Sequence, residues 1–292
     1  MNIEKIFDYA RENNISDIHL LEGEKIYFRK DGKIIEYDSY ITVTKDELLE
    51  ICNGKIEEDF AYTDSKNQRY RVNSFLTRGK LALVIRIINK EPIKLIGKFI
   101  NKLIDEKILS LKDGLVLVTG ITGSGKSITL ANIVEKFNKN KNLKILTIED
   151  PIEYIFENKK SLIIQRELGK DVESFEKALK SSLRQDPDII ILGEIRDEES
   201  LYSALNLAET GHLVFSTLHT MNTVESVNRL ISMVRTEKKE FIREQLASVL
   251  RFILSQELHR EKKTVPIFEI LNNTKAVANL ILNNKLNQIP TL

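Results

Sequence analysis

Gly120-Ile121-Thr122-Gly123-Ser124-Gly125-Lys126-Ser127 satisfies the phosphate-loop pattern G-x-x-x-x-G-K-[ST]. Its surroundings are those the motif requires. The apolar run Leu115-Val116-Leu117-Val118 precedes it, and Leu130, Ile133, Val134 and Phe137 follow at helical spacing. Glycines in such a loop let backbone N–H groups turn inward around a phosphate, and the helix N-terminus adds a favourable dipole. Lys126 is placed to reach the β- and γ-phosphates, and the Ser127 hydroxyl to coordinate Mg²⁺. The nucleotide-binding set read from this stretch is Gly120, Thr122, Gly123, Ser124, Gly125, Lys126, Ser127 and Ile128, with ATP and Mg²⁺ as the implied ligands.

Short apolar runs without alternation recur at Ile145-Leu146-Thr147-Ile148, Ile189-Ile190-Ile191-Leu192 and Leu213-Val214-Phe215. Strands apolar on both faces belong to parallel sheets covered by helices. Stripes at Val172, Phe175, Leu179 and Leu183, and at Leu201, Leu205 and Ala208, supply two covering helices. A longer stripe, Ile242, Leu246, Val249, Leu250, Ile253, Leu254 and Leu258, predicts one long helix near the end. The second part of the chain is therefore expected to be an α/β core.

Three further segments carry chemistry. Asp188-Ile189-Ile190-Ile191-Leu192-Gly193-Glu194 is a buried strand ending in an acid, a Walker B segment. Gly193 stands where an Asp often precedes the Glu, which leaves Glu194 to serve the metal side, through a bound water. Thr147-Ile148-Glu149-Asp150-Pro151-Ile152-Glu153 is another apolar strand running into acids. One of them is suited to orient or deprotonate the attacking water, and spacing does not choose among Glu149, Asp150 and Glu153. His212 and His219 flank the run 213–218 near opposite ends, so joint metal binding is not expected. His219, at the carboxyl end, is placed to sense a γ-phosphate; for His212 a structural and a functional role are equally open.

Before Glu91-Pro92 the grammar differs. Ile3, Ile6, Phe7 and Ala10 predict an opening amphipathic helix, and Ser16 to Leu20 a half-buried strand. Ile26 to Lys30 and Lys33 to Tyr37 flank Asp31-Gly32, a type I′ hairpin signal. Arg69 to Leu76 and Leu81 to Ile88 form a second pair around Thr77-Arg78-Gly79-Lys80. This part is a small α+β domain on an antiparallel sheet. The expected division is 1–92 for that domain, 93–112 for a linker leading into helix, and 113–292 for the core.

Composition excludes several alternatives. Lys plus Arg (44) nearly balances Asp plus Glu (43), so the chain lacks the net basic charge of a nucleic-acid binder. Cys52 is the single cysteine, which rules out an internal disulfide and a four-cysteine zinc module. It falls on the short helix predicted around Glu47–Cys52, as a buried and inert thiol. The first residues lack the hydrophobic core of a signal peptide, and no stretch approaches the roughly 18 apolar residues of a membrane span. A cytoplasmic protein is expected, touching a membrane only through partners.

Taken together, TIEDPIE (147–153), DPDIIILGEIRD (186–197) and AETGHLVFSTLHT (208–220) resemble the Asp box, Walker B and His box of the secretion ATPase superfamily, in the family's order after the phosphate loop. The likeness is to its PilT-like branch, the type IV pilus retraction ATPases, and runs from about Ser16 to Ile289. The resemblance implies a RecA-like core behind a PAS-like N-terminal domain, six subunits in a ring, and an inner-membrane pilus platform protein as partner at the inner face of the cell membrane. It favours Glu153 as general base, with Glu194 on the magnesium side. It also matches Arg71 and Arg86 to arginines that reach the γ-phosphate, an arginine-finger role.

Two departures from the family's patterns bear on direction. The zinc-binding four-cysteine insert of assembly-type relatives is absent, which favours retraction. The retraction branch's AIRNLIRE signature is replaced here by Ala276-Val277-Ala278-Asn279-Leu280-Ile281-Leu282-Asn283, and the sequence stops at Leu292, before the further helices the resemblance would imply. No phosphate-contacting motif is touched by either change. A pilus-assembly, competence-pilus or type II secretion ATPase is the alternative within the same chemistry. A nucleic-acid translocase and a non-catalytic nucleotide-dependent scaffold are the readings from other classes.

Overall fold

Ile18 and Leu20 alternate with Asp17 and His19, and that period of two buries one face of an N-terminal sheet beneath two helices. The computed structural model describes residues 3–37, 42–66, 68–88, 97–260 and 264–291. It divides into two units, Met1–Glu91 and Pro92–Leu292. The break expected at Glu91-Pro92 and the first linker residues, 93–96, lie outside the described residues.

In the first unit, α1 (Ile3–Glu12) leads into β1 (Asp17–Leu21), β2 (Tyr27–Lys30) and β3 (Lys33–Glu36); α2 (Lys45–Cys52), β4 (Asp59–Thr63), β5 (Arg69–Thr77) and β6 (Lys80–Ile87) follow. The strands order as β3-β2-β1-β6-β5-β4, each pair antiparallel. Asp31 and Gly32 close the first hairpin with both φ positive, at 49° and 79°. Arg78 and Gly79 close the second in the same way, because Thr77 and Lys80 are already paired as strand ends. Phe7, Ile18, Phe28, Leu48, Tyr70 and Ile85 lie in one core with Cys52, which is fully buried. Thr44 caps α2 in a reciprocal capping box with Glu47, an arrangement worth about 1 kcal/mol.

The second unit opens with α3 (Lys98–Glu106). Ile100, Ile104 and Ile108 follow one another at intervals of a helical turn and pack on the same core as Val116 and Val118. Much of the segment expected as a linker is thus folded onto the ATP-loop unit. The elements that follow are β7 (Gly114–Thr119), α4 (Lys126–Asn140), β8 (Lys144–Glu149), β9 (Leu162–Glu167), α5 (Phe175–Ser182), β10 (Ile189–Leu192) and α6 (Glu198–Glu209). Then come β11 (Leu213–Leu218), α7 (Thr223–Ser232), α8 (Lys239–Val249), β12 (Leu250–Arg260), β13 (Thr264–Asn272) and α9 (Lys275–Leu282). The sheet order is β13-β12-β7-β11-β10-β8-β9, parallel except for the antiparallel edge strand β13.

Both faces of this sheet are covered. Leu115 and Leu117 point into one core with Leu201, Leu205 and Leu246, whereas Val116 and Val118 point into another with Ile133, Val134 and Phe137. That is why the strand runs show no polar alternation. The same physics corrects the long helix expected over 242–258. Helix α8 ends at Val249, and Leu250 begins a strand parallel to β7. Ile253 serves one core while Phe252 and Leu254 serve the other, so this run is apolar on both faces, and a stripe at helical spacing was only half the pattern. The stripe from Val172 to Leu183 is also shorter than expected: Val172 precedes α5, and Leu183 follows it, half exposed.

Candidate nucleotide site

Strands β7, β8, β10, β11 and β12 run parallel and bring their carboxyl ends to one edge of the sheet. In open α/β sheets ligands collect at that edge. Here β7 runs into the loop 120–125, β8 ends at Glu149, β10 leads to Glu194 and β11 to His219.

The loop has the geometry of an anion cradle. Gly120 and Gly125 adopt φ of 147° and 86°. A Cβ at Gly120 would come within 2.3 Å of the Gln256 carbonyl oxygen, so a larger residue there would break the close passage of loop and strand. Gly125 stands at the N-cap of α4 with no side chain over the first turn, which leaves that turn's N–H groups open to an anion. Ser127 is exposed at this helix start, Ile128 is half-buried beside it, and Thr122 and Gly123 lie exposed at the loop's tip. The residues present fit a Mg·nucleotide: glycines in left-handed conformations, a free helix N-terminus, one lysine and one hydroxyl at the head of the helix.

Lys126 is largely buried, and its Nζ donates to the carbonyl oxygens of Gly120 at 2.7 Å and Ile121 at 3.0 Å. Burial lowers its pKa, while the charges of Glu194 and Glu153 act in the opposite direction. Both acids are therefore within electrostatic reach of the lysine. His219 Nε2 donates to Glu194 Oε2 at 2.9 Å. Because a carboxylate only accepts, Nδ1 is left as the acceptor, and it faces Lys126 Nζ and Thr122 Oγ1, each at 3.4 Å. A continuous polar chain thus joins Glu194, His219 and the phosphate loop. Arg196, which the sequence reading did not single out, pairs with Glu194 and reaches Asp150 at 3.4 Å.

The structure separates the three acids that spacing left equal. Glu149 Oε1 accepts from Thr147 Oγ1 at 2.6 Å and from Gln165 Nε2 at 3.1 Å, and burial raises its pKa. Asp150 faces Arg196. Glu153 is the one of the three whose charge opposes the lowering of the Lys126 pKa. The histidines separate as well. His212 lies before β11, at the opposite edge from the loop, where its Nδ1 approaches Thr210 Oγ1 at 3.0 Å and the Leu207 carbonyl at 3.1 Å. It ties the end of α6 to the next strand.

Arg71 and Arg86 belong to the first unit, directly opposite each other on β5 and β6. Arg71 forks onto Asp59, its Nε 3.0 Å from Oδ2. Arg86 Nε donates to Asp17 Oδ1 at 2.8 Å; Asp17 is nearly buried, but the Arg86 side chain is 64% exposed. Two cations set opposite one another repel, and these acids offset that repulsion.

Among the described residues, no helix is long and apolar enough to cross a membrane. Nor does any group of three or more His, Cys, Asp or Glu gather to hold a metal. Magnesium does not require one, since it is commonly held by one or two side chains together with phosphate oxygens and water.

Known proteins resemble this chain over nearly its whole length. The Escherichia coli (strain K12) protein YggR is 39% identical over 303 residues, covering 99% of this chain and 92% of its own. The type IV pilus retraction ATPase PilT of Pseudomonas aeruginosa is 36% identical over 306 residues, covering 99% of this chain and 88% of its own. The crystal structure of the pilus retraction motor PilT with bound ADP is similar with a TM-score of 0.89 at 36% identity, over 100% of this chain and 89% of that one. With the family model described as Type II/IV secretion system protein matching residues 1–279 as well, motif order, fold and likeness agree, and the chain belongs to that family.

Proposed function

We propose that this chain is the subunit of a motor that hydrolyses Mg·ATP to drive type IV pilus retraction. The observation that carries the reading is the convergence of Lys126, Glu194 and His219 at one phosphate loop on the carboxyl edge of a parallel sheet, with the charge of Glu153 also felt at Lys126. The names of the pilus retraction relatives supply the cargo class.

In this reading the N–H groups of Gly123, Gly125 and Lys126 hold the phosphates, and Lys126 exchanges its two loop carbonyls for phosphate oxygens. Ser127 would hold Mg²⁺, with Glu194 on the metal side. When bound, the metal neutralises charge on the phosphates. Glu153 takes the proton of the attacking water as its oxygen bonds to the γ-phosphorus. The bond to the β,γ-bridging oxygen breaks, and that oxygen leaves on ADP with the electron pair. His219 holds Glu194 from one side and faces Lys126 on the other, which suits it to report whether a γ-phosphate is in place. Arg71 and Arg86 remain the candidates for cations that neutralise the transferred phosphoryl. Arg71 and its partner Asp59 are each about a third exposed, so their pair is open to solvent.

The subunits would work as a homohexameric ring against an inner-membrane platform protein, on the cytoplasmic side. Two variants test the chemistry. Lys126→Ala abolishes turnover, and Glu194→Gln binds ATP while hydrolysing it slower by about 10²-fold or more; normal turnover in either would sink the site assignment. Excess surface pili in cells lacking the chain would support retraction, whereas bald cells would assign it to assembly.

A further inference from the structure

A loop that turns its N–H groups inward to an anion must turn carbonyls outward, and an outward carbonyl that is buried needs a donor behind it. The carbonyl of Ser124 is in that position. Its donor is the side chain of Gln256, whose Nε2 lies 2.6 Å away. Gln256 is 4% exposed and sits just past Ser255, the last residue of β12 paired with β7, where β12 runs on alongside the phosphate loop. Its backbone is still held there by pairing with Phe268 of β13.

The other end of the same amide is fixed too. Thr129, fully buried on the first turns of α4, donates from Oγ1 to Gln256 Oε1 at 2.5 Å, while its own N–H bonds the Gly125 carbonyl at 3.1 Å. Because the Ser124 carbonyl can only accept, the NH₂ end of the amide must face it. The Thr129 hydroxyl holds the amide in that orientation by occupying the oxygen. Gln256 therefore bridges the loop to the helix that follows, and its backbone and side chain fill the space that a Cβ at Gly120 or Gly125 would need.

We infer that Gln256 and Thr129 form a positioning pair that sets the shape of the phosphate loop from behind and so tunes nucleotide affinity. The inference rests on the nucleotide-binding reading of the loop. Neither side chain touches the phosphates; each acts through the loop backbone, so its loss loosens the N–H cradle without removing Lys126, Glu153 or Glu194. Binding suffers first in such a case, and the chemical step follows only where the loop must hold the γ-phosphate in line.

The test is the affinity for ADP with Mg²⁺, by calorimetry on the full chain, together with thermal melting with and without ADP. Gln256→Met keeps the volume and removes both hydrogen bonds. It should weaken ADP by roughly tenfold, as should Thr129→Val, while Thr129→Ser, which keeps the hydroxyl, stays near wild type. The upward shift in melting that ADP produces should shrink in step. In the double variant Gln256→Met with Thr129→Val the losses should not add, because each single change already breaks the same bridge. If Gln256→Met fails to fold, the comparison of Thr129→Val with Thr129→Ser decides alone. Wild-type affinity in Gln256→Met or Thr129→Val, a Thr129→Ser as weak as Thr129→Val, or fully additive losses would each overturn the pair. Failure of the wild-type chain itself to bind ADP would instead overturn the nucleotide reading beneath it.

Discussion

Glu149, Asp150 and Glu153 share one short stretch, yet their surroundings differ. Glu149 is half-buried, with Thr147 and Gln165 both donating to a single oxygen. Burial raises its pKa, so the folded chain holds this proton more tightly than the unfolded chain does. Its contribution to stability is complete below the ordinary value of 4.5 and is lost as pH rises through the raised one. Glu149→Gln, whose amide oxygen still accepts both bonds, should therefore melt higher than wild type at neutral pH, with the gap closing toward pH 4.5 and turnover within a fewfold of normal. Thermal melts across that range check it; a variant that melts lower at neutral pH contradicts the assignment. Glu153→Gln should do the opposite, leaving stability unchanged and lowering kcat by about 10²–10⁴-fold while ADP still binds. The sequence alone could not make this distinction. It gives the order of the acids along the chain, whereas burial and the reach to Lys126 depend on β9 and on the turn after β8.

At the scale of elements, the parts whose patterns were complete in themselves were legible. The phosphate loop carries its own signature, and the Asp31-Gly32 hairpin carries its turn chemistry, so both appear where the residues place them. The error at β12 has a specific cause. Ile242, Leu246 and Val249 do lie on a helix, and Leu250, Ile253 and Leu254 extend the same spacing by coincidence, because a strand buried on both faces matches any period. That error also hid Gln256, whose position beside the loop exists only if β12 is a strand next to β7. The strand β9 and the edge strand β13 were missed because their mixed polar and apolar residues carry no clear period. The first unit offers a test of its own. Asp64, with its side chain buried, accepts from the Gln68 N–H at 2.7 Å, from Tyr70 Oη at 2.9 Å and from Arg11. Burial alone would raise its pKa, but the bonds from Gln68, Arg11 and Tyr70 outweigh it and hold the carboxyl below 3.8. That stability is present above 3.8 and is lost as pH falls through the depressed value. Asp64→Ala should destabilise the unit by about 3 kcal/mol, because it strips partners from a buried network. Denaturation followed by circular dichroism measures it, and a loss below about 1 kcal/mol would mean that Arg11 is content with Asp8 and water.

For the whole molecule, the proposed motor raises the question of how its two units, and copies of the chain, would work together. Arg71 and Arg86 stand on the N-terminal sheet, whereas the phosphate loop, Glu153 and Glu194 belong to the other unit. If the arginines neutralise the transferred phosphoryl, Arg71→Ala and Arg86→Ala should each lower kcat by about 10-fold or more and leave ADP affinity nearly unchanged, since that charge develops chiefly in the transition state. Equal losses in binding and turnover would instead give them a ground-state role. Motion follows if the bound nucleotide favours one arrangement of the units over another, which requires different affinity for the two. The measurement that tests the account most directly is phosphate release from Mg·ATP as a function of protein concentration, with Lys126→Ala alongside. A specific activity that climbs as the proposed ring assembles, and is absent in Lys126→Ala at every concentration, is the expected result. No phosphate release by the wild-type chain at any concentration, or equal release by Lys126→Ala, would contradict it.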